Sequence, residues 1–86
     1  MKTLKLNFHT DAGHGWLACK KDLVIALGIA KDISAYSYQR GQTAYLEEDC
    51  DMYKFMKACE QYGVQVVLNE KYRDESPIRN YERFTF

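Results

Sequence analysis

The sequence predicts an α+β domain in which two helices cover one face of a single β-sheet, and three patterns in its 86 residues support this prediction. Apolar and polar residues alternate in strand-length segments, and two other segments carry apolar residues at three- and four-residue spacing. Both helical segments end in a glycine followed by an aliphatic residue. The expected order is ββ-α-ββ-α-β-β, with an antiparallel or mixed sheet. One domain, residues 1–86, is expected, since two independent cores need a longer chain.

The first strand is predicted from Leu4, Leu6 and Phe8, which alternate with polar residues. A loop over residues 9–15 follows it. Residues 16–19 are a short apolar run that is predicted to return antiparallel to the first strand. If this run is not a strand, the order becomes β-α-β-β-α-β, and the ferredoxin-like arrangement is the alternative fold.

The two helices are predicted over residues 20–27 and 51–62. The second has an apolar stripe made of Met52, Phe55, Met56, Cys59 and Tyr62. Gly28 and Gly63 are expected in the left-handed conformation that ends a helix. Asp49 or Asp51 is expected to cap the start of the second helix.

A hairpin is predicted around an Arg40-Gly41 turn, followed later by an alternating strand and an aromatic edge strand. With this turn, the facing pairs are Tyr36 with Tyr45 and Tyr38 with Thr43. The later strand contains Val64, Val66 and Leu68. The edge strand is predicted over residues 78–86, after a Ser76-Pro77 turn, and such an edge invites self-pairing, so a monomer and a homodimer are both expected possibilities.

The charge of the chain disfavours nucleic-acid binding by bulk electrostatics. Twelve basic and twelve acidic side chains give a formal charge of zero, whereas counterion release requires a clustered excess of Lys and Arg. An acidic run over residues 47–51 contrasts with a basic C-terminal end formed by Lys71, Arg73, Arg79 and Arg83. This distribution favours protein partners.

Cysteine usage and hydropathy indicate a cytoplasmic protein with no membrane association. The three cysteines are an odd number without CxxC spacing, which favours a reducing compartment. No apolar stretch approaches the length of a membrane-spanning helix, and no signal-peptide core is expected at the N-terminus.

Both histidines lie close together in sequence and raise the hypothesis of a metal site. His9, Asp11 and His14 carry ligand types that bind zinc or iron, as a small metal-binding module or a metal-dependent enzyme would require. A fourth ligand would have to come from elsewhere. The favoured interpretation is a polar hairpin loop in which Gly13 and Gly15 supply positive φ and Asp11 bonds its own backbone.

The sequence contains no complete catalytic set and no cofactor-binding motif. Cys50 lies at a helix N-terminus, which lowers a thiol pKa, but its acidic neighbours act in the opposite direction. Cys59 belongs to the apolar stripe and is expected to pack in the core. The P-loop and Rossmann glycine patterns are absent from the sequence. The chain is therefore expected not to be an enzyme and to need no cofactor.

The tyrosines of the hairpin suggest a contact surface. Tyr36, Tyr38 and Tyr45 are expected to share one face of the sheet. If the helices cover the opposite face, these rings are left for a protein partner or for stacking with single-stranded nucleic acid. The alternative is that the tyrosine face is itself packed in the core.

Several segments also resemble a family of small proteins carried by bacteriophages, prophages and plasmids. These segments are Gly13-His14-Gly15-Trp16-Leu17, Leu27-Gly28-Ile29, Ile33-Ser34-Ala35-Tyr36-Ser37-Tyr38, Tyr45-Leu46-Glu47-Glu48-Asp49-Cys50-Asp51 and Ser76-Pro77-Ile78-Arg79. The resemblance runs nearly end to end and brings no activity with it. It implies a bacterial cytoplasm and a gene on a mobile element. Ala12 stands where relatives often have Pro.

These observations favour a non-enzymatic binding protein, such as an accessory or anti-defence factor that acts on a host or phage protein. The predicted contact surface joins the His9–Trp16 loop to the hairpin tyrosines. Its residues are His9, Asp11, His14, Trp16, Tyr36, Tyr38 and Tyr45. The alternatives are the metal site and single-stranded nucleic-acid binding through the tyrosines.

Overall fold

A computed structural model describes residues 2–86 and shows six strands and two α-helices in the predicted order. The strands are β1 (Lys2–Thr10), β2 (Gly15–Lys20), β3 (Tyr38–Arg40), β4 (Thr43–Glu47), β5 (Val64–Tyr72) and β6 (Glu82–Arg83), and the helices are α1 (Lys21–Ala26) and α2 (Met52–Gln61). The order ββ-α-ββ-α-β-β is confirmed. The ferredoxin-like alternative is wrong, because β2 is a full strand between β1 and α1.

The strands form one mixed sheet in the order β5-β1-β2-β4-β3-β6. β1 and β5 are parallel and pair over nine positions, from Lys2 opposite Val64 to Thr10 opposite Tyr72. All other neighbours are antiparallel. Two strands that are far apart in sequence are thus placed side by side, and their carboxyl ends meet at the same end of the sheet.

Both helices pack on the same face of the sheet, as predicted. One buried cluster joins residues of α1 and α2 with inward-facing strand residues, among them Leu17, Cys19, Val24, Ala44, Leu46, Phe55 and Cys59. Because successive strand residues point to opposite faces, Trp16 and Tyr45 lie on the other side of the sheet. We call that side the helix-free face.

Glycines end both helices in the way that the sequence indicates. Gly28 and Gly63 have φ values of +77° and +70°. After α1, the Gly28 N–H donates to the Ile25 carbonyl at 2.9 Å and the Ile29 N–H to the Val24 carbonyl at 3.3 Å. This pair of bonds is the Schellman motif, with Ile29 folded back against the core.

The hairpin register differs from the predicted one by two residues. Tyr38 lies opposite Tyr45, and Arg40 lies opposite Thr43. Gly41, with φ of +57°, is the first central residue of the turn, as in a type II′ turn, and not the second. The predicted pair of Tyr36 with Tyr45 is therefore wrong. Tyr36 precedes β3 and is 65% exposed.

The segment between β5 and β6 crosses the helix-free face, because these strands are the opposite edges of the sheet. We call residues 73–81 the crossing segment. It contains a 3₁₀ turn at Pro77–Asn80, where the sequence predicts extended chain, and only β6 pairs with the sheet afterwards. Ile78 is 2% exposed, and the ring of Tyr81 lies 5.2 Å from that of Tyr45. The helix-free face is thus partly covered by the chain itself.

Asp51 occupies the predicted position before α2 but does not cap the helix with its side chain. Its carboxylate is fully buried and accepts hydrogen bonds from the Ser34 N–H at 3.0 Å, the Ser34 hydroxyl at 2.7 Å and the Ser37 hydroxyl. The Lys54 ammonium completes the set at 3.1 Å. The prediction that an Asp side chain at this position caps α2 is therefore wrong for Asp51. Its carboxylate instead links the segment before β3 to the start of α2.

Within residues 2–86, no helix has the length and apolar character needed to cross a membrane.

Candidate functional site

The loop between β1 and β2 is organised by the carboxylate of Asp11. Its Oδ1 accepts from the Gly13 N–H at 3.0 Å and from the His14 N–H at 2.9 Å, as the polar-loop interpretation predicts. The Arg79 guanidinium, from the crossing segment, donates through Nε to Oδ2 at 2.8 Å and through Nη2 to Oδ1 at 3.0 Å. The Arg79 bonds, reinforced by the backbone donors, hold the pKa of Asp11 well below its usual range.

The two glycines of this loop act differently from the prediction. Neither Gly13 nor Gly15 has a positive φ. A Cβ at Gly15 would lie 2.6 Å from Cζ of Phe8, which is closer than side chains approach. Gly15 is therefore needed for space beside the Phe8 ring, and the predicted conformational role is wrong.

His14, Trp16 and Arg79 form a layered group beside the loop. The rings of His14 and Trp16 are stacked, with centroids 5.9 Å apart and planes inclined by 18°. The guanidinium carbon of Arg79 lies 5.4 Å from the Trp16 ring centroid. Nη2 of Arg79 is also 2.9 Å from Nδ1 of His14, and since a guanidinium only donates, Nδ1 is the acceptor.

This group borders a surface cavity of about 310 Å³, which we call the Trp16 cavity. Its lining residues are His14, Trp16, Tyr36, Tyr38, Glu47, Asp49, Cys50, Arg79 and Arg83. Trp16 is 2% exposed, and its Nε1 is the only buried side-chain nitrogen or oxygen in the described part of the chain that lacks a hydrogen-bond partner. An unpaired buried donor costs free energy, so an acceptor that reached this indole N–H would stabilise it.

The aromatic wall of the Trp16 cavity continues onto β3 and β6. Tyr38 meets Trp16 edge-on, with centroids 6.3 Å apart. The Arg83 guanidinium lies 4.8 Å from the Tyr38 ring centroid and donates to the Ala35 carbonyl at 2.9 Å. The rim residue Tyr36 is anchored only through its backbone N–H, which donates to the Ser34 hydroxyl at 3.2 Å.

Acidic residues also line the Trp16 cavity. Glu47 pairs with Trp16 in the β2–β4 ladder and is 6% exposed. Its Oε1 accepts from the Asp49 and Cys50 N–H groups at 3.0 and 2.8 Å. Residues of the acidic run and arginines of the basic C-terminal end, which the sequence suggests as separate regions, thus line the same cavity.

His9 and Tyr45 lie outside the Trp16 cavity. His9 is in β1 and not in the loop, and its ring contacts Tyr45 edge-on at 5.9 Å. Burial lowers the pKa of His9, and the charges of Lys71 and Arg73 lower it further. Together with Tyr81, these residues line a second cavity of about 510 Å³, which we call the Tyr45 cavity. Of the seven residues of the predicted surface, four line the Trp16 cavity and two line the Tyr45 cavity, whereas Asp11 lines neither and binds Arg79.

The three predicted metal ligands do not converge. Arg79 and the loop backbone engage the Asp11 carboxylate, Arg79 also engages Nδ1 of His14, and His9 packs on Tyr45. Over residues 2–86, no three His, Cys, Asp or Glu side chains are grouped so that they could hold a metal ion. The geometry gives the metal hypothesis no support.

The cysteines are not arranged as nucleophiles. Burial, with a smaller effect of Cys59, raises the pKa of Cys19 to about 12. Burial also raises the pKa of Cys59. The pKa of Cys50 is raised too, first by its hydrogen bond with Glu47 and then by burial and the acidic neighbours. The thiol form therefore predominates at all three near neutral pH.

Sequence reasoning missed the contribution of the C-terminal residues to the site. Arg79, Tyr81 and Arg83 each cover an aromatic side chain of the helix-free face. The available signal is their alternation of basic and aromatic residues, which the sequence suggests only as a basic end and an aromatic edge strand. No protein-family model, curated protein or solved structure matches the chain.

Proposed function

We propose that the chain is a non-enzymatic binding protein that engages a partner protein at the Trp16 cavity. The observation that carries this proposal is the buried, unpaired Nε1 of Trp16 in a wall made of Trp, Tyr and Arg side chains. These three residue types are enriched among the residues that dominate protein–protein binding energies. A partner group that accepts from Nε1 would remove the cost of the unpaired donor.

The walls of the cavity are fixed before a partner arrives. Asp51 holds Ser34 and Ser37, and the Ser37 hydroxyl also accepts from the Glu47 N–H at 2.9 Å. Asp11 and Arg79 hold the other side. Since ordering side chains and loops on binding costs free energy, a preformed site binds more tightly than a mobile one. The exposed ring of Tyr36 is then the main adaptable element at the rim.

The chemistry of the cavity favours a polar protein segment as its occupant. Arg79 and Arg83 line the cavity together with Glu47 and Asp49, so a ligand with both donors and acceptors is matched better than a simple anion. The carboxylates of Glu47 and Asp49 would also repel the phosphate backbone of a nucleic acid. Protein binding is therefore favoured over single-stranded nucleic acid at this cavity.

The resemblance to proteins of mobile elements suggests where the partner is found. Phages and plasmids often encode proteins that bind and modulate host machinery, so a bacterial host protein in the cytoplasm is the proposed partner. An accessory or anti-defence role follows from the same reasoning.

The proposal is tested by affinity capture from a bacterial lysate with tagged wild type and two variants. Tyr36→Ala removes the rim ring, and Tyr53→Ala is the matched control, because Tyr53 is 59% exposed on α2 and does not line the cavity. We expect at least one protein to be retained by wild type and Tyr53→Ala and lost with Tyr36→Ala. The captured protein is then titrated while the emission of the only Trp is recorded. Equal capture by all three proteins, or unchanged Trp16 emission at saturation, would refute the proposal.

A further inference from the structure

The Tyr45 cavity lies on the helix-free face, where the carboxyl ends of the parallel strands β1 and β5 meet the crossing segment. Its volume of about 510 Å³ lies within the range of small-molecule sites, roughly 300–1,000 Å³. His9 and Tyr45 form the floor from the sheet. Ile78 and Tyr81 contribute from the crossing segment. The cavity shares no lining residue with the Trp16 cavity.

Two cations without carboxylate partners line this cavity. Lys71 and Arg73 are both exposed, and the ion pairs in residues 2–86 involve neither of them. Burial lowers the pKa of His9 most, and Lys71 and Arg73 lie near enough to this ring to lower it further. Glu70 also lines the cavity, and its Oε2 accepts from the Thr10 hydroxyl at 3.2 Å. With the negative charge of Glu70 set against the positive charges of Lys71 and Arg73, the lining carries a net charge of +1 on a chain whose formal charge is zero.

Aromatic rings also line the Tyr45 cavity. Tyr45 and Tyr81 have centroids 5.2 Å apart, and the edge-on ring of His9 lies 5.9 Å from Tyr45. Arg40 supports Tyr81, with its guanidinium carbon 5.1 Å from the ring centroid and Nη1 3.3 Å from the hydroxyl oxygen. Fixed rings of this kind bind planar nucleobases by stacking.

We infer that the Tyr45 cavity binds a nucleoside monophosphate, with the phosphate held by Lys71 and Arg73 and the base packed on Tyr45 and Tyr81. A phosphate monoester carries a charge of about −1.5 to −2 at pH 7, which matches the two unpaired cations. A base without phosphate lacks the ionic contacts, and inorganic phosphate lacks the stacking contacts. Both parts of the ligand are therefore required for binding.

Isothermal titration calorimetry with AMP, adenosine, inorganic phosphate and a ten-residue oligothymidylate tests the inference. We expect AMP to bind at least tenfold more tightly than adenosine or phosphate, and its affinity to fall as salt is raised. No heat with AMP at millimolar concentration would overturn the inference, as would phosphate binding that equals AMP binding. If oligothymidylate bound a hundredfold more tightly than AMP, the inference would be overturned, and the cavity would instead be a binding site for single-stranded nucleic acid.

Variants locate the site and separate it from the Trp16 cavity. Lys71→Met and Arg73→Met should each weaken AMP binding at least tenfold, whereas Lys57→Met, at an exposed position of α2, should leave it unchanged. Tyr36→Ala should also leave AMP binding unchanged, so the inference and the proposed function fail independently. Circular dichroism confirms that each variant is folded. Unchanged AMP affinity in both Met variants of the cavity would place the nucleotide elsewhere and refute the inference.

Discussion

Arg79 donates to Asp11 through both Nε and Nη2, at 2.8 and 3.0 Å, and so fastens the crossing segment to the β1–β2 loop. Two oxygens of one carboxylate thereby receive a planar fork of donors, which is the geometry that Arg and not Lys can supply. The Asp11 side chain is almost fully buried, while the Arg79 side chain is 42% exposed. If the ion pair is broken, the buried Asp11 carboxylate is therefore the group left without a charged partner.

Replacing Arg79 with Met should lower the free energy of unfolding at pH 7 and change its pH dependence. Because the folded-state pKa of Asp11 is depressed, the ion pair stabilises the fold above the unfolded-state pKa of about 3.9, and this stabilisation is lost as pH falls through the folded-state value. Urea unfolding at pH 7 and pH 3 should show a smaller difference between wild type and Arg79→Met at pH 3. An equal difference at both pH values would contradict the role assigned to Asp11.

Replacing Asp51 with Asn should destabilise the protein by about 3 kcal/mol, because the donors of Ser34, Ser37 and Lys54 lose a buried, charged acceptor. Burial alone would raise the pKa of Asp51, but these hydrogen bonds together lower it, so this contribution is also lost at acid pH. Urea denaturation at pH 7 measures the change. Asp49→Asn, at an exposed neighbouring position, is the control and should change stability by less than about 0.5 kcal/mol.

Replacing Gly15 with Ala should cost about 1–3 kcal/mol, because the new Cβ would meet the Phe8 ring at 2.6 Å. The matched substitution is Gly13→Ala, whose Cβ would lie 3.3 Å from Nη2 of Arg79 and so overlap its neighbour less. Thermal unfolding should show a clearly lower Tm for Gly15→Ala than for Gly13→Ala. The reverse ranking would mean that backbone conformation, and not space, selects glycine in this loop.

Thiol labelling should distinguish Cys50 from the two buried cysteines. In the native protein at pH 8, we expect Ellman's reagent to modify one thiol per chain, and in urea all three. Since hydrogen bonding to Glu47 raises the pKa of Cys50, its rate should be below that of a free thiol and should rise with pH. Cys50→Ser should abolish the native-state reaction. Rapid native labelling of Cys19 or Cys59 would show that the core opens readily.

Local signals in the sequence were sufficient for most of the fold. The glycines after each helix act only on neighbouring residues, so Gly28 and Gly63 could be interpreted without tertiary information. The hairpin register could not, because an Arg40-Gly41 turn and a turn that begins at Gly41 both satisfy the local pattern. In the turn that begins at Gly41, Tyr38 packs against Trp16 and pairs with Arg83. Both partners are distant in sequence, so the local pattern could not reveal these contacts.

The candidate site was predictable only in part, because its remaining contacts join residues that are distant in sequence. His14, Trp16 and Tyr38 do lie together, as the sequence suggested. The separation of His9 and Tyr45 from them follows from the path of the crossing segment, which has no local sequence pattern. The role of Asp51 was also hidden, since a carboxylate before a helix normally caps it, and only the fold brings Ser34 and Ser37 within reach.

The parallel pairing of β1 with β5 determines how the chain can fold. Lys2 and Val64 are neighbours in the sheet although 61 residues separate them in sequence. Bringing them together therefore costs conformational entropy before the burial of apolar side chains can compensate for it. Proteins rich in such distant contacts fold slowly compared with helical bundles. No hairpin here can bury its apolar side without the other half of the chain. We therefore expect one cooperative unfolding transition, in which Trp16 fluorescence and far-ultraviolet circular dichroism change together.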